Sequence, residues 1–202
     1  VEGCGKSTQT RALVDWLRLR GHTVTLTREP GGTEVGERCR DILLDTGHAG
    51  MRPGTELFLY LASRAEHVAK VIVPRLEAGE VVISDRYGDA SVAYQGGGRG
   101  LGHKLVDELN QVATGGVKPD VTFLLDLDPE VGLDRLVRGR GEHARVCIEG
   151  EVLEFHKRVR EAYLECAARE PDRFVVLDAS RSPEKIEARI TAEVEKLLSD
   201  VR

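Results

Sequence analysis

Apolar positions along the chain switch repeatedly between a helical and a strand-like spacing, and those switches outline the elements. Leu13, Trp16 and Leu17 recur at helical spacing between Thr8 and Arg20, and Gly21 supplies a stop signal. His22 to Thr27 alternates and is rich in β-branched residues, which predicts a strand. It ends in Arg28-Glu29-Pro30-Gly31-Gly32, a turn-forming cluster. Glu34 to Leu44 is expected to be helical, Gly47 to Gly54 a loop, and Thr55 to Ala78 a long helix kinked near Pro74. Val81-Val82-Ile83-Ser84, Val121 to Asp126 and Phe174 to Asp178 are short, largely apolar runs typical of buried parallel strands. Helices are expected over His103 to Thr114, Pro129 to Val137, Leu153 to Ala168 and Pro183 to Leu198. Gln95 to Gly100 is too rich in glycine for an element interior and predicts a mobile or tightly turned loop.

Strands alternating with helices predict an α/β fold with a mostly parallel sheet covered on both faces. At 202 residues the chain fits one domain spanning 1–202. Its 29 basic and 34 acidic residues, a formal charge of −5, exclude a nucleic-acid-coating protein and a polybasic membrane anchor, which leaves small molecules as expected partners. No window reaches the roughly 18 consecutive apolar residues of a membrane span, and no signal-peptide pattern opens the chain, so a cytoplasmic location is expected. Cys4, Cys39, Cys147 and Cys166 are scattered without C-x-x-C or zinc spacing and read as reduced thiols.

Chemistry enters at Val1-Glu2-Gly3-Cys4-Gly5-Lys6-Ser7-Thr8, whose Gly5-Lys6-Ser7 is the tail of a phosphate-binding P-loop. Gly3 to Thr8 would turn backbone N–H groups toward a polyphosphate, Lys6 would reach its β and γ phosphates, and Ser7 would join a Mg²⁺ shell. The motif requires a strand leading into it, so a central strand ahead of Val1 is expected, and residues that carry it. Asp85, delivered by a buried strand, stands at the Walker B position. Arg138, Arg140 and Arg145 lie in a glycine-containing segment that could close like a lid over about 138–150, neutralising charge on a moving phosphoryl group. Arg28, Arg40, Arg64 and Arg86 form a second set near strand ends, suited to an acceptor phosphate. Arg40, beside Asp41 and Glu37, reads equally as a solvated surface charge. The lid arginines could instead decorate an exposed turn, and Asp126 and Asp178 are expected to finish strands or cap turns.

Taken together, Arg28-Glu29-Pro30-Gly31-Gly32, Asp85-Arg86-Tyr87 and Ala93-Tyr94-Gln95-Gly96-Gly97-Gly98-Arg99-Gly100 resemble thymidylate kinases of the bacterial kind, nearly end to end. The resemblance implies a three-layer αβα P-loop fold with a five-stranded parallel sheet and a mobile lid. It implies transfer of the ATP γ-phosphate to dTMP with Mg²⁺, a homodimer, and a place in dTTP synthesis. By similarity, Glu2 would face the deoxyribose 3′-hydroxyl, Arg86 would hold the dTMP phosphate with Arg28 or Arg40, and Glu29 and Asp85 would organise Mg²⁺. Tyr60, where the family usually has Phe, would stack on the base; Arg64, Ser91 and Gln95 would bond the thymine edge, and Tyr94 would disfavour ribose. Lys6, Asp85, Arg86 and the lid arginines Arg138, Arg140 and Arg145 would then carry catalysis. Ala144-Arg145 stands where the family has Asp-Arg, and the stretch from Arg145 to Phe155-His156 is about two residues longer than the family pattern, which leaves the lid register open. The rival expectations are another nucleoside monophosphate or deoxynucleoside kinase of this fold, or an inactive nucleotide-binding regulator.

Overall fold

The structure, a computed structural model, describes residues 3–48, 50–140 and 150–200, without the side chains of 139, 140, 150–152 and 200. Helix α1 (Lys6–Leu19) leads to β1 (Val24–Arg28) and α2 (Glu34–Leu44), whose N-cap Thr33 accepts from the Gly36 N–H. Next come α3 (Pro53–His67), α4 (Val73–Glu77), β2 (Val81–Asp85) and the short α5 (Gly88–Ser91). The chain continues through α6 (His103–Thr114), β3 (Thr122–Asp126), α7 (Pro129–Arg140), α8 (Gly150–Arg169), β4 (Phe174–Asp178) and α9 (Pro183–Asp200).

Among the described residues the strands form two parallel pairs, β1 with β2 and β3 with β4. Successive side chains of a strand point to opposite faces. Leu125 and Leu177 accordingly join Leu13, Val14 and Leu17 of α1 and Ile186, Ile190 and Val194 of α9 in one core. Leu124 and Phe174 join Leu57 and Leu61 of α3, Val106 of α6 and Cys166 of α8 in another. The β3–β4 pair is therefore covered on both faces. Leu17 is fully buried, so truncating it to Ala would cost about 2–5 kcal/mol. A cavity of about 640 Å³, walled by Ile83 of β2, Leu125 of β3 and the P-loop residues Cys4 and Lys6, lies between the two pairs.

One local expectation is sharpened and two are corrected. The long helix is interrupted near Pro74, where a π-helical turn, Val68–Ile72, separates α3 from α4. Proline lacks an N–H and its ring crowds the carbonyl four residues back, and the break falls on that preceding turn. The glycine-rich stretch is no loop, since Val92–Gly98 is π-helical with Gly96 and Gly98 buried. Its glycines allow close packing on α8: a Cβ on Gly97 would stand 2.5 Å from Ala162 Cβ, and one on Gly98 2.6 Å from Phe155 Cε2. Finally, α7 continues through Arg138 to Arg140, so these two belong to a helix rather than to a loop. Residues 141–149, with Arg145 and most of the expected lid, lie outside the described residues, as does Glu2.

Candidate active site

The parallel register of β1 and β2 sets Arg28 beside Asp85, and the Glu29 N–H donates to the Asp85 carbonyl at 3.0 Å. Both strands thus deliver their terminal charged residues to one rim, the C-terminal edge where open α/β sheets place ligands. Cys4 and Lys6 of the P-loop line the central cavity together with Asp85 and Arg86. Gly3 and Gly5 take the left-handed φ values of 70° and 91° that let the loop turn before α1 begins at Lys6. The Gly5 carbonyl accepts from the Thr8 and Gln9 N–H groups, and Lys6 Nζ lies 3.8 Å from Cys4 Sγ. Ser7 and Thr8 are exposed in the first turn of α1, where unpaired N–H groups favour an anion.

Arg86 is the one non-glycine residue at positive φ, 74°, among the described residues. For a residue with a Cβ this conformation costs about 1–2 kcal/mol, and here it points a cation off the end of β2. Its guanidinium sits 4.9 Å from the centroid of Tyr94, whose ring also meets Phe155 and Tyr163 edge-on at 6.0 and 6.3 Å. Burial disfavours the Arg86 cation, but Tyr94, Tyr163 and Asp85 more than offset this and hold its pKa above the ordinary arginine value. The half-buried Tyr60 phenol is pushed up by burial and Glu56 and drawn down by Arg86 and Arg40.

Glu29 was expected at Mg²⁺ and is placed otherwise. It is 4% exposed; one carboxylate oxygen accepts from Arg64 Nε at 2.8 Å and the other lies 3.0 Å from His67 Nδ1. With both oxygens engaged by protein, Glu29 is a buried structural hub. Arg64, 1% exposed, also donates to Ser91 Oγ, Asn110 Oδ1 and the Tyr87 carbonyl, so that four of its five N–H groups are engaged by these partners and Glu29. His67 Nε2 lies 2.6 Å from Thr27 Oγ1, and Ser63 Oγ accepts from the Gly31 N–H. These contacts tie α3 to the loop after β1, whose Glu29–Pro30 bond is cis.

Arg28 pairs with Glu37 through two bonds of 2.9 and 3.0 Å, half exposed, and Arg40 donates to the Pro30 carbonyl. Neither is an isolated surface charge. Gln95, 2% exposed, donates to Glu56. Arg138 is exposed and paired with Asp134 one turn back. Asp126 is held by Arg160, and Asp178 accepts from the Ser180 N–H, so both serve structure as expected. Glu56, His67 and Asn110 escaped the sequence reading. Glu56, Tyr60 and Arg64 follow at i, i+4 and i+8 on α3, and that spacing was the available signal.

Among the described residues the Ser7 hydroxyl and the Asp85 carboxylate are candidate oxygen donors for a divalent cation. They fit Mg²⁺, which binds through one or two protein oxygens and otherwise keeps water and substrate phosphates. Among the described residues no group of three or more His, Cys, Asp and Glu side chains could hold a metal alone.

Comparison with known proteins agrees with this geometry. The family model described as Thymidylate kinase matches residues 1–190. The thymidylate kinase of Desulfosudis oleivorans is 49% identical, over 98% of this chain and 94% of that protein. That of Nitratidesulfovibrio vulgaris is 50% identical over 100% and 92%, and that of Solidesulfovibrio magneticus 51% over 98% and 97%. The P-loop residue Lys6 and the strand-end residue Arg86 line one cavity in a chain that belongs to the thymidylate kinase family.

Proposed function

We propose that the chain transfers the γ-phosphoryl group of ATP to dTMP, giving dTDP, in the presence of Mg²⁺. The observation that carries this is the pair of phosphate-binding groups on one cavity, Lys6 on the P-loop side and Arg86 on the sheet rim. Gly3 to Thr8 hold the donor phosphates, with Lys6 on the β and γ oxygens. Mg²⁺, held by Ser7 and Asp85, neutralises phosphate charge when bound. Arg86 grips the acceptor phosphate, with Arg40 and Arg28 as supporting charges and Glu2 assigned to the 3′-hydroxyl. Tyr60 stacks on the base, Gln95 and the remaining Arg64 N–H meet the thymine edge, Ser91 holds Arg64, and Tyr94 closes the 2′ side. Arg138, Arg140 and Arg145 are assigned to transition-state charge.

Phe58 and Leu105, exposed on the packed helices α3 and α6, offer an apolar face for a homodimer. No helix among the described residues is long and apolar enough to cross a membrane, and we assign the protein to the cytoplasm.

A coupled assay with ATP and Mg²⁺ against dTMP, dCMP, UMP and AMP tests the activity. Turnover strongly favouring dTMP is expected; equal turnover of the four would overturn it. A binding site that hydrogen-bonds its substrate rejects analogues that cannot reciprocate by large factors.

A further inference from the structure

We propose that Glu56 is a positioning residue that fixes which way the Gln95 amide faces, and thereby selects acceptor bases carrying an imide N–H, a role that rests on Gln95 facing the acceptor base. Gln95 Nε2 donates to Glu56 Oε1 at 2.6 Å. The carboxylate is held in turn by Arg99, whose Nη2 lies 3.1 Å from Oε2 and whose Nε lies 3.2 Å from Oε2. Arg99 is itself seated 4.7 Å from the centroid of Phe155. Glu56 thus reaches Gln95 from the first turn of α3, four residues before Tyr60.

A carboxylate only accepts hydrogen bonds, whereas an amide has one donating and one accepting end. With Glu56 on one side, the amide nitrogen must face it. The opposite orientation would set Oε1 against a carboxylate oxygen at hydrogen-bond distance, around a side chain only 2% exposed, where water cannot relieve the repulsion. The amide therefore retains Oε1 as an acceptor and one Nε2–H as a donor for a base. Thymine and uracil present N3–H between two carbonyl oxygens, which matches that pattern. Cytosine presents a bare N3 beside an amino group, which demands the reverse. Glu56 in this way excludes cytosine without touching the nucleotide.

The test compares kcat/KM for dTMP, dUMP and dCMP in the full chain, Glu56→Gln, Gln95→Ala and the double variant, each checked for folding by thermal unfolding. Glutamine at 56 can accept or donate, so the Gln95 amide is freed to turn. In Glu56→Gln the dTMP to dCMP ratio is expected to fall roughly ten-fold, about the worth of one hydrogen bond, through KM for dTMP. KM for ATP and the dTMP to dUMP ratio should stay unchanged, because thymine and uracil share the imide edge. In the Gln95→Ala background the Glu56 substitution should add nothing to the ratio, as expected for a residue acting through its neighbour. Glu56→Asp, one methylene shorter, should move the ratio the same way and carries the test if Glu56→Gln does not fold. An equal loss for all three nucleotides, or the same loss without Gln95, overturns the proposal. A wild-type preference for dTMP over dCMP that neither Glu56 variant alters overturns the Glu56 role alone. A wild-type chain with no such preference overturns the acceptor assignment and the Glu56 role together.

Discussion

Arg64 Nε lies 2.8 Å from Glu29 Oε2, with both side chains no more than 2% exposed. A buried ion pair gains little net stability over an apolar pair, but removing one partner strands the other charge. Glu29 holds His67 as well, so its carboxylate serves two side chains of α3. Glu29→Gln is therefore expected to destabilise the fold by about 3–5 kcal/mol. Urea unfolding measures it, and a loss below about 1 kcal/mol would show that Arg64 finds another partner.

Lys6 lines the cavity from the P-loop side and has no part in either apolar core. Lys6→Ala should leave the unfolding midpoint nearly unchanged while turnover falls by roughly a hundred-fold or more, the scale expected when one preorganised charge is removed from a transition state. A variant that retained most of its turnover would remove Lys6 from the chemistry.

Much of this arrangement is legible in the residues because its causes are local. The strand runs around Ile83, Leu124 and Val175 are short and apolar, and the helix over Glu34 to Leu44 falls where its period places it. The P-loop glycines announce a turn, and Asp85 follows from the strand before it. Glu29 was misassigned because its partners lie 35 and 38 residues away, and nothing near Glu29 distinguishes a carboxylate bound for a metal from one bound for Arg64 and His67. The Val92–Gly98 helix was misread for a related reason. Glycine signals flexibility in isolation, whereas here it signals the nearness of Phe155 and Ala162, contributed by a distant helix.

That close approach gives a paired prediction. Gly98→Ala would bring a methyl group within 2.6 Å of Phe155 and 2.7 Å of Val159, and should cost about 1–3 kcal/mol as α8 is pushed away. Gly54→Ala, in a helix with nothing within 4 Å of the new methyl, should cost nothing and gain up to about 1 kcal/mol. Thermal unfolding of the two variants compares them directly, and equal effects would contradict the packing.

Burial pushes the Cys166 thiol up to about 11 from an ordinary value of 9.0, and burial together with Glu29 pushes the Tyr87 phenol up to about 12 from 10.0. The folded chain then keeps protons that the unfolded chain has released, so stability falls as pH rises through this range. The share of these two groups begins near 9.0, where unfolded Cys166 ionises, and ends near 12, where folded Tyr87 does. Chemical unfolding at a series of pH values should show it, and Cys166→Ala should flatten its lower part, a difference of about 2 kcal/mol. Identical slopes for the two proteins would rule out the thiol as a contributor.

The last prediction separates strain from function at Arg86. Its φ of 74° suits glycine, so Arg86→Gly should be about 1 kcal/mol more stable than Arg86→Ala, though both lose the guanidinium. Both should raise KM for dTMP roughly ten-fold or more, with a much smaller change in KM for ATP, because the cation sits on the sheet rim across the cavity from the P-loop. Steady-state kinetics varying each substrate in turn, with unfolding curves on the same samples, gives both comparisons. Equal stability of the two variants would mean that the backbone relaxes when the cation is gone. Equal shifts in both KM values would move Arg86 from the acceptor to the donor side. The expected outcome, strain relieved as affinity for dTMP is lost, identifies the left-handed turn after Asp85 as the feature that aims the acceptor cation.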